Sequence, residues 1–162
     1  MRIYPYDRTK AYEYAREWAL ARNPAFYDFS NIGGDCTNFA SQCIYAGAGI
    51  MNYLPIFGWF YRSTNDRTPS WTGVEYLYNF LINNKGLGPF AEEVTLDKLQ
   101  VGDIVQLGRE TGDFYHCPVV VGIENRVIYV AAHSFDAFYK PLYSFTYELV
   151  RGIHILGVRK EF

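Results

Sequence analysis

With 162 residues, the chain has the length of one domain, long enough to bury about two thirds of its unfolded surface without disulfide help. Three cysteines form an odd set with no Cys-x-x-Cys spacing, which argues against a disulfide framework or a zinc knuckle. Fifteen Lys and Arg stand against 17 Asp and Glu with no long basic run, so the footprint of a nucleic-acid binder is missing.

The amino terminus, Met1-Arg2-Ile3-Tyr4-Pro5-Tyr6-Asp7, lacks the apolar stretch of a secretory leader, and no apolar run approaches a membrane span. If complete, the chain is expected in the cytoplasm; if a leader has been removed, it belongs outside the cell or in the wall. A first helix is expected after Asp7 as N-cap, stopping at Asn23-Pro24, with Ala11, Tyr14, Ala15, Trp18 and Ala19 on one face. A second runs from about Cys36 to Ala46 and ends at Gly47. The stretch from Gly49 to Trp71 carries Tyr53, Phe57, Trp59, Phe60 and Tyr61 and is the best candidate for a cleft wall. A third helix starts at Thr72, whose spacing to Glu75 fits a capping box, buries Val74, Leu77, Tyr78 and Leu81, and closes at Lys85-Gly86. From Leu99 onward the pattern turns to strands: Asp103 to Leu107, Tyr115 to Ile123, Arg126 to His133 and Val150 to Val158. Helices first and strands second predict an α+β domain spanning residues 1–162, with N-terminal helices packed on a small antiparallel sheet.

The chemistry centres on Gly33-Gly34-Asp35-Cys36-Thr37-Asn38-Phe39-Ala40-Ser41-Gln42-Cys43, which sets a cysteine in the first turn of a helix after a diglycine. A free thiol has a pKa of about 8.5, and a helix N-terminus with a protonated histidine beside it brings that down, so a thiolate nucleophile is expected at Cys36. Cys43, mid-helix on the same face, and Cys117 read as packing. A nucleophile needs a base and a group that fixes the base's tautomer. If Ile123 pairs with Arg126 across a two-residue turn centred on Glu124-Asn125, His116 faces His133 on the neighbouring strand. A register one residue different sends His116 against Ser134. Pro118 cannot donate to the ladder, so an edge or bulge is expected there. His154, between Ile153 and Ile155, reads as structural. A metal held by Cys36, His116 and His133 has compatible residue types without supporting local spacing, and no metal or cofactor is expected.

The same ordered residues, namely GGDCTNFASQC, Pro69-Ser70-Trp71, Leu99 to Gln106 with its Gly102-Asp103, Tyr115-His116 before a valine run, and Ala132-His133-Ser134-Phe135-Asp136, resemble the putative amidase domain family of Gram-positive bacteria. That family is similar to the NlpC-type and CHAP cysteine peptidases. The resemblance covers nearly the whole chain and implies a papain-like fold, amide hydrolysis, Cys36 as nucleophile, His116 as base and His133 as orienting residue, with Asp136 the alternative third member. It implies a peptide or peptidoglycan-fragment substrate. Asp35, Asn38, Gln42, Trp71 and Asp136 are further candidates for holding the oxyanion or the substrate. The expected function is therefore a cysteine amidase acting through a thioester, with a monomer favoured. An acyl transferase of transglutaminase-like chemistry, or an inactive module binding peptide or glycan through the Gly49 to Trp71 aromatics, is the alternative.

Overall fold

The computed structural model describes residues 1–162. Its elements are β1 (Arg2–Tyr4), α1 (Arg8–Trp18), α2 (Cys36–Ala48), β2 (Tyr61–Ser63), β3 (Asp66–Arg67), α3 (Pro69–Thr72), α4 (Val74–Asn83), β4 (Gly88–Val94), β5 (Ile104–Gly108), β6 (Phe114–His116), β7 (Val119–Glu124), β8 (Val127–Ala132), β9 (Ala137–Pro141) and β10 (Leu149–Lys160). The fold is α+β. One curled antiparallel sheet of eight strands runs β1-β10-β5-β7-β8-β9, with β4 added to β10 and β6 to β5, and β2 and β3 form a separate hairpin.

Side chains alternate across the sheet, and both faces are covered. Ile104, Val119, Val121 and Ile153 join Phe39, Cys43, Ile44 and Leu81 in a core of 27 residues under the helices. On the other face Val105, Leu107, Val120 and Val130 pack with Leu99 and Leu142. Burial on both faces is why the valine run shows no polar alternation.

Two helix boundaries differ from expectation. The chain leaves α1 after Trp18 rather than at Asn23, because the Trp18 carbonyl is met by the His133 ring and the following residues turn toward that ring. α2 continues through Gly47 to Ala48 and is closed by Gly49 at φ 78°, the left-handed cap that glycine accepts without strain. At Gly47 a Cβ would come within 2.5 Å of Tyr6 Cε1 and 2.7 Å of the Asp7 carbonyl, so that glycine serves close packing rather than termination. The expected capping box is also absent. Thr72 ends α3, the N-cap of α4 is Gly73 without a side-chain bond, and Glu75 reaches Arg151 instead at 2.9 Å.

The long strand expected over 115–123 is interrupted at Cys117-Pro118, where Pro118 can supply only its carbonyl, taken by Val105 N–H at 2.9 Å. Both halves keep one register on β5, with Leu107 facing His116 and Ile104 facing Val119. The hairpin onto β8 turns at Asn125-Arg126, both at positive φ of 50° and 67°, as a type I′ turn requires. Glu124 therefore faces Val127, and a bulge near Val121 shifts the ladder again so that Val119 faces Ala131. Counting on from there sets His116 against Ser134, not His133, which corrects the expected pairing of the two histidines.

Candidate functional site

Gly33 and Gly34, at φ 81° and 98°, swing the chain into α2 through a conformation that a side chain would strain. Asp35 holds the N-cap position, yet its carboxylate does not cap the helix. Oδ1 accepts from Phe29 N–H at 2.8 Å and Asn38 Nδ2 at 2.9 Å, and Oδ2 takes the His133 Nδ1–H at 2.6 Å. The N–H groups of the first turn are thus left without a capping side chain beside Cys36. Such groups form the positive end of the helix and suit a developing negative charge.

The Cys36 sulfur is half-buried against the strand that bears His116. Its thiol donates to the Tyr115 carbonyl at 3.9 Å and lies 3.7 Å from the Thr37 hydroxyl. Burial pushes the thiol above its ordinary range and the Asp35 charge adds to this; the Thr37 hydroxyl and the N–H groups of Cys117 and Thr37 work against it. Burial thus works against the preformed thiolate expected from helix position.

His116 is half-buried, its ring 5.7 Å from that of Phe145. Burial foremost, then the Lys140 charge, lowers its pKa to about 4, so the ring is neutral near pH 7. Lys140 in turn sits over the Phe145 ring at 4.5 Å. Neither His116 nitrogen makes a hydrogen bond within the protein, and none joins His116 to Cys36 or to His133.

His133 is 2% exposed and stacked on Phe39 at 4.2 Å between centroids. With Nδ1 on Asp35, its Nε2 lies 2.9 Å from the Trp18 carbonyl and 3.0 Å from Arg22 Nη1. It cannot orient His116, because both its nitrogens are engaged behind Asp35. Asp136 is gripped by Arg22 through two bonds of 2.8 and 2.9 Å. Arg22 is the residue that sequence reasoning missed. Its partners His133 and Asp136 lie more than 110 positions away, and local spacing carries no signal of them.

The remaining candidates sit in the scaffold. Asn38 spends Nδ2 on Asp35 and the Tyr27 carbonyl and Oδ1 on Trp71 Nε1 at 3.0 Å, and both residues are buried. Gln42 accepts from the Tyr14 hydroxyl inside the core. Trp59 and Trp71 are fully buried, with Phe60 and Tyr61 nearly so; only part of the 49–71 stretch is available as a wall. Leu54, Ile56 and Phe57 from it line a groove of about 580 Å³ that none of Cys36, His116 and His133 reaches. Cys43 and Cys117 are fully buried, as read from sequence. His154 is tied to Asp103 at 2.8 Å. No cluster of three or more His, Cys, Asp or Glu side chains is arranged to hold a metal ion, and no helix is long and apolar enough to cross a membrane.

The sequence profile described as a putative amidase domain matches residues 5–156. The uncharacterized protein YhbB of Bacillus subtilis (strain 168) is 31% identical over 140 residues, covering 84% of this chain but 44% of YhbB. The chain thus spans less than half the length of that relative. No solved structure matches.

Proposed function

The chain belongs to the putative amidase domain family, and from that premise, amide hydrolysis in general, we propose that it is a cysteine-dependent amidase whose nucleophile is Cys36 and whose base is His116. The observation that carries the reading is the Cys36 sulfur lying against the Tyr115 carbonyl, one peptide from His116, at the start of a helix that no side chain caps. The neutral His116 ring, with no protein bond to break, turns to the thiol when substrate enters.

As sulfur attacks the amide carbon, His116 takes the thiol proton and the carbonyl π electrons move to oxygen. Backbone N–H groups of the first turn of α2 meet that oxyanion, since Asn38 spends Nδ2 on Asp35 and the Tyr27 carbonyl; such a donor contributes on the order of 3 kcal/mol. The imidazolium gives its proton to the departing nitrogen as the C–N bond breaks, leaving a thioester. Water then attacks, His116 takes its proton, and the C–S bond breaks to return the thiol. His133 serves behind Asp35 rather than on His116, so the reading is a Cys-His pair, not a Cys-His-His triad.

The resemblance to NlpC-type and CHAP peptidases extends the proposal to a papain-like arrangement and to cell-wall peptide substrates. The test is incubation with purified stem peptides and intact peptidoglycan fragments, with and without added amine. Equal release of new amino and carboxyl ends, abolished in Cys36→Ala and His116→Ala, is expected. A product carrying the added amine would make the protein an acyl transferase, and turnover unchanged in Cys36→Ala would end the reading.

A further inference from the structure

Immediately before the nucleophile stands a carboxylate. Asp35 is 1% exposed, and a buried negative charge one residue from a thiol opposes thiolate formation. What surrounds that carboxylate decides how strongly. Asn38 and the Phe29 N–H bind one oxygen, and His133 binds the other. Arg22 Nε lies 3.8 Å from Asp35 Oδ2 and 3.3 Å from Asp28 Oδ1, buried and without a hydrogen bond to either, so its action on Asp35 is that of a nearby charge. The two other Arg22 nitrogens fix its position: Nη1 and Nη2 hold Asp136, Nη1 also meets His133 Nε2, and Nη2 reaches the Ser30 hydroxyl.

We propose that Arg22 is a positioning residue for the Cys36 nucleophile: it clamps the 133–136 segment onto the chain that leads into α2, holding His133 against Asp35 and compensating the carboxylate beside the thiol. The inference rests on the reading of Cys36 given above. Without Arg22, the three carboxylates it touches, Asp28, Asp35 and Asp136, would lose their shared cation. Of the other ionisable groups, Cys117 interacts with the sulfur and burial holds its thiol protonated; Arg22 touches neither it, nor His116, nor Lys140. The effect of Arg22 is therefore carried by Asp35 and must vanish when that carboxylate is gone.

The experiment follows the ionisation of Cys36 without any substrate, which separates it from the turnover test of the proposed function. Iodoacetamide labelling rates are measured against pH by mass spectrometry; Cys43 and Cys117, both fully buried, leave Cys36 as the site labelled in the folded protein. Arg22→Gln is expected to move the midpoint up, slowing labelling at pH 7 about threefold to tenfold, since one pH unit is tenfold, while the limiting rate at high pH stays. Adding Asp35→Asn to Arg22→Gln is expected to bring the midpoint back to or below that of the parent. Arg22→Lys, which keeps the charge on a flexible arm, should fall between, and it serves as the measured variant if Arg22→Gln does not fold. A merely structural Arg22 would lower the melting temperature and leave the midpoint in place, and that result, or a shift that Asp35→Asn fails to reverse, overturns the proposal.

Discussion

His116 differs from the other two histidines in having no partner. His133 and His154 each bond a buried aspartate, at 2.6 and 2.8 Å, whereas the His116 ring has only Phe145 beside it and Lys140 nearby. A folded-state pKa of about 4 against the ordinary 6.5 of a histidine means that the unfolded chain binds a proton here before the folded one does. The stability from the neutral ring is then fully present above pH 6.5 and is lost as pH falls toward 4, by an amount on the order of 2 to 3 kcal/mol. Carboxylates titrate in the same window, so the measurement is a difference: urea unfolding of wild type and His116→Gln at steps between pH 4 and 7.5. The gap should grow in favour of the variant as pH drops. Parallel curves would mean that the ring titrates alike in both states. For catalysis the expectation is equally definite. A base with a low pKa is ready at neutral pH and takes its proton from the thiol itself, so turnover should stay level between pH 6 and 8, where the ring is neutral and the thiol, pushed up by burial, is still protonated. A rate falling between pH 6 and 8 would contradict a neutral base acting on a protonated thiol.

The second helix shows what a one-dimensional pattern can and cannot carry. Its start was legible, because a diglycine before a polar residue and an apolar stripe has few other uses. Its end is not legible, because Gly47 and Gly49 look alike in sequence; what separates them is Tyr6, which packs against Gly47 from far along the chain. Gly47→Ala supplies a test. Helix propensity alone favours alanine by about 1 kcal/mol, but a Cβ at 2.5 Å from Tyr6 Cε1 and 2.7 Å from the Asp7 carbonyl must displace the start of α1. Overpacking of this kind costs about 1 to 3 kcal/mol, so a net loss of up to about 2 kcal/mol is expected in thermal unfolding, and a gain would show that the contact relaxes freely. Strand register failed for a related reason. The hairpin between β7 and β8 was visible in the sequence, but the turn lies one residue on from the expected place and a bulge near Val121 shifts the ladder again. One residue of slip sufficed to separate His116 from His133.

Across the molecule, the Gly102-Asp103 pair joins parts that the sequence lists far apart. Asp103 is fully buried. Its carboxylate takes Arg8 from α1 at 2.8 Å, His154 from β10 at 2.8 Å, and the N–H groups of Ile155 and Gln100. Its carbonyl accepts Val120 N–H of β7, while Tyr6 reaches the Gly102 carbonyl at 2.8 Å. One residue, through its side chain and its carbonyl, thus ties the first helix, the last strand and the strand continuing from His116, a convergence invisible to any local window, although the Gly-Asp dipeptide itself stood out. Asp103→Asn keeps the shape and removes the charge. The Arg8 guanidinium and the His154 ring would then face a neutral amide, whose nitrogen cannot accept from either. Breaking a buried pair costs about 3 to 5 kcal/mol, and since Arg8 and His154 retain some exposure, at 24% and 17%, the lower end of that range is expected. Chemical denaturation should show the midpoint falling with the slope unchanged, because the surface exposed on unfolding stays the same. Labelling of Cys36 in the folded variant should match wild type, since the Asp103 carboxylate contacts neither Asp35 nor its partners. A variant as stable as wild type would make this knot incidental to the fold; one equally destabilised but with altered thiol reactivity would mean that the two ends of the sheet are coupled through β5 and β6.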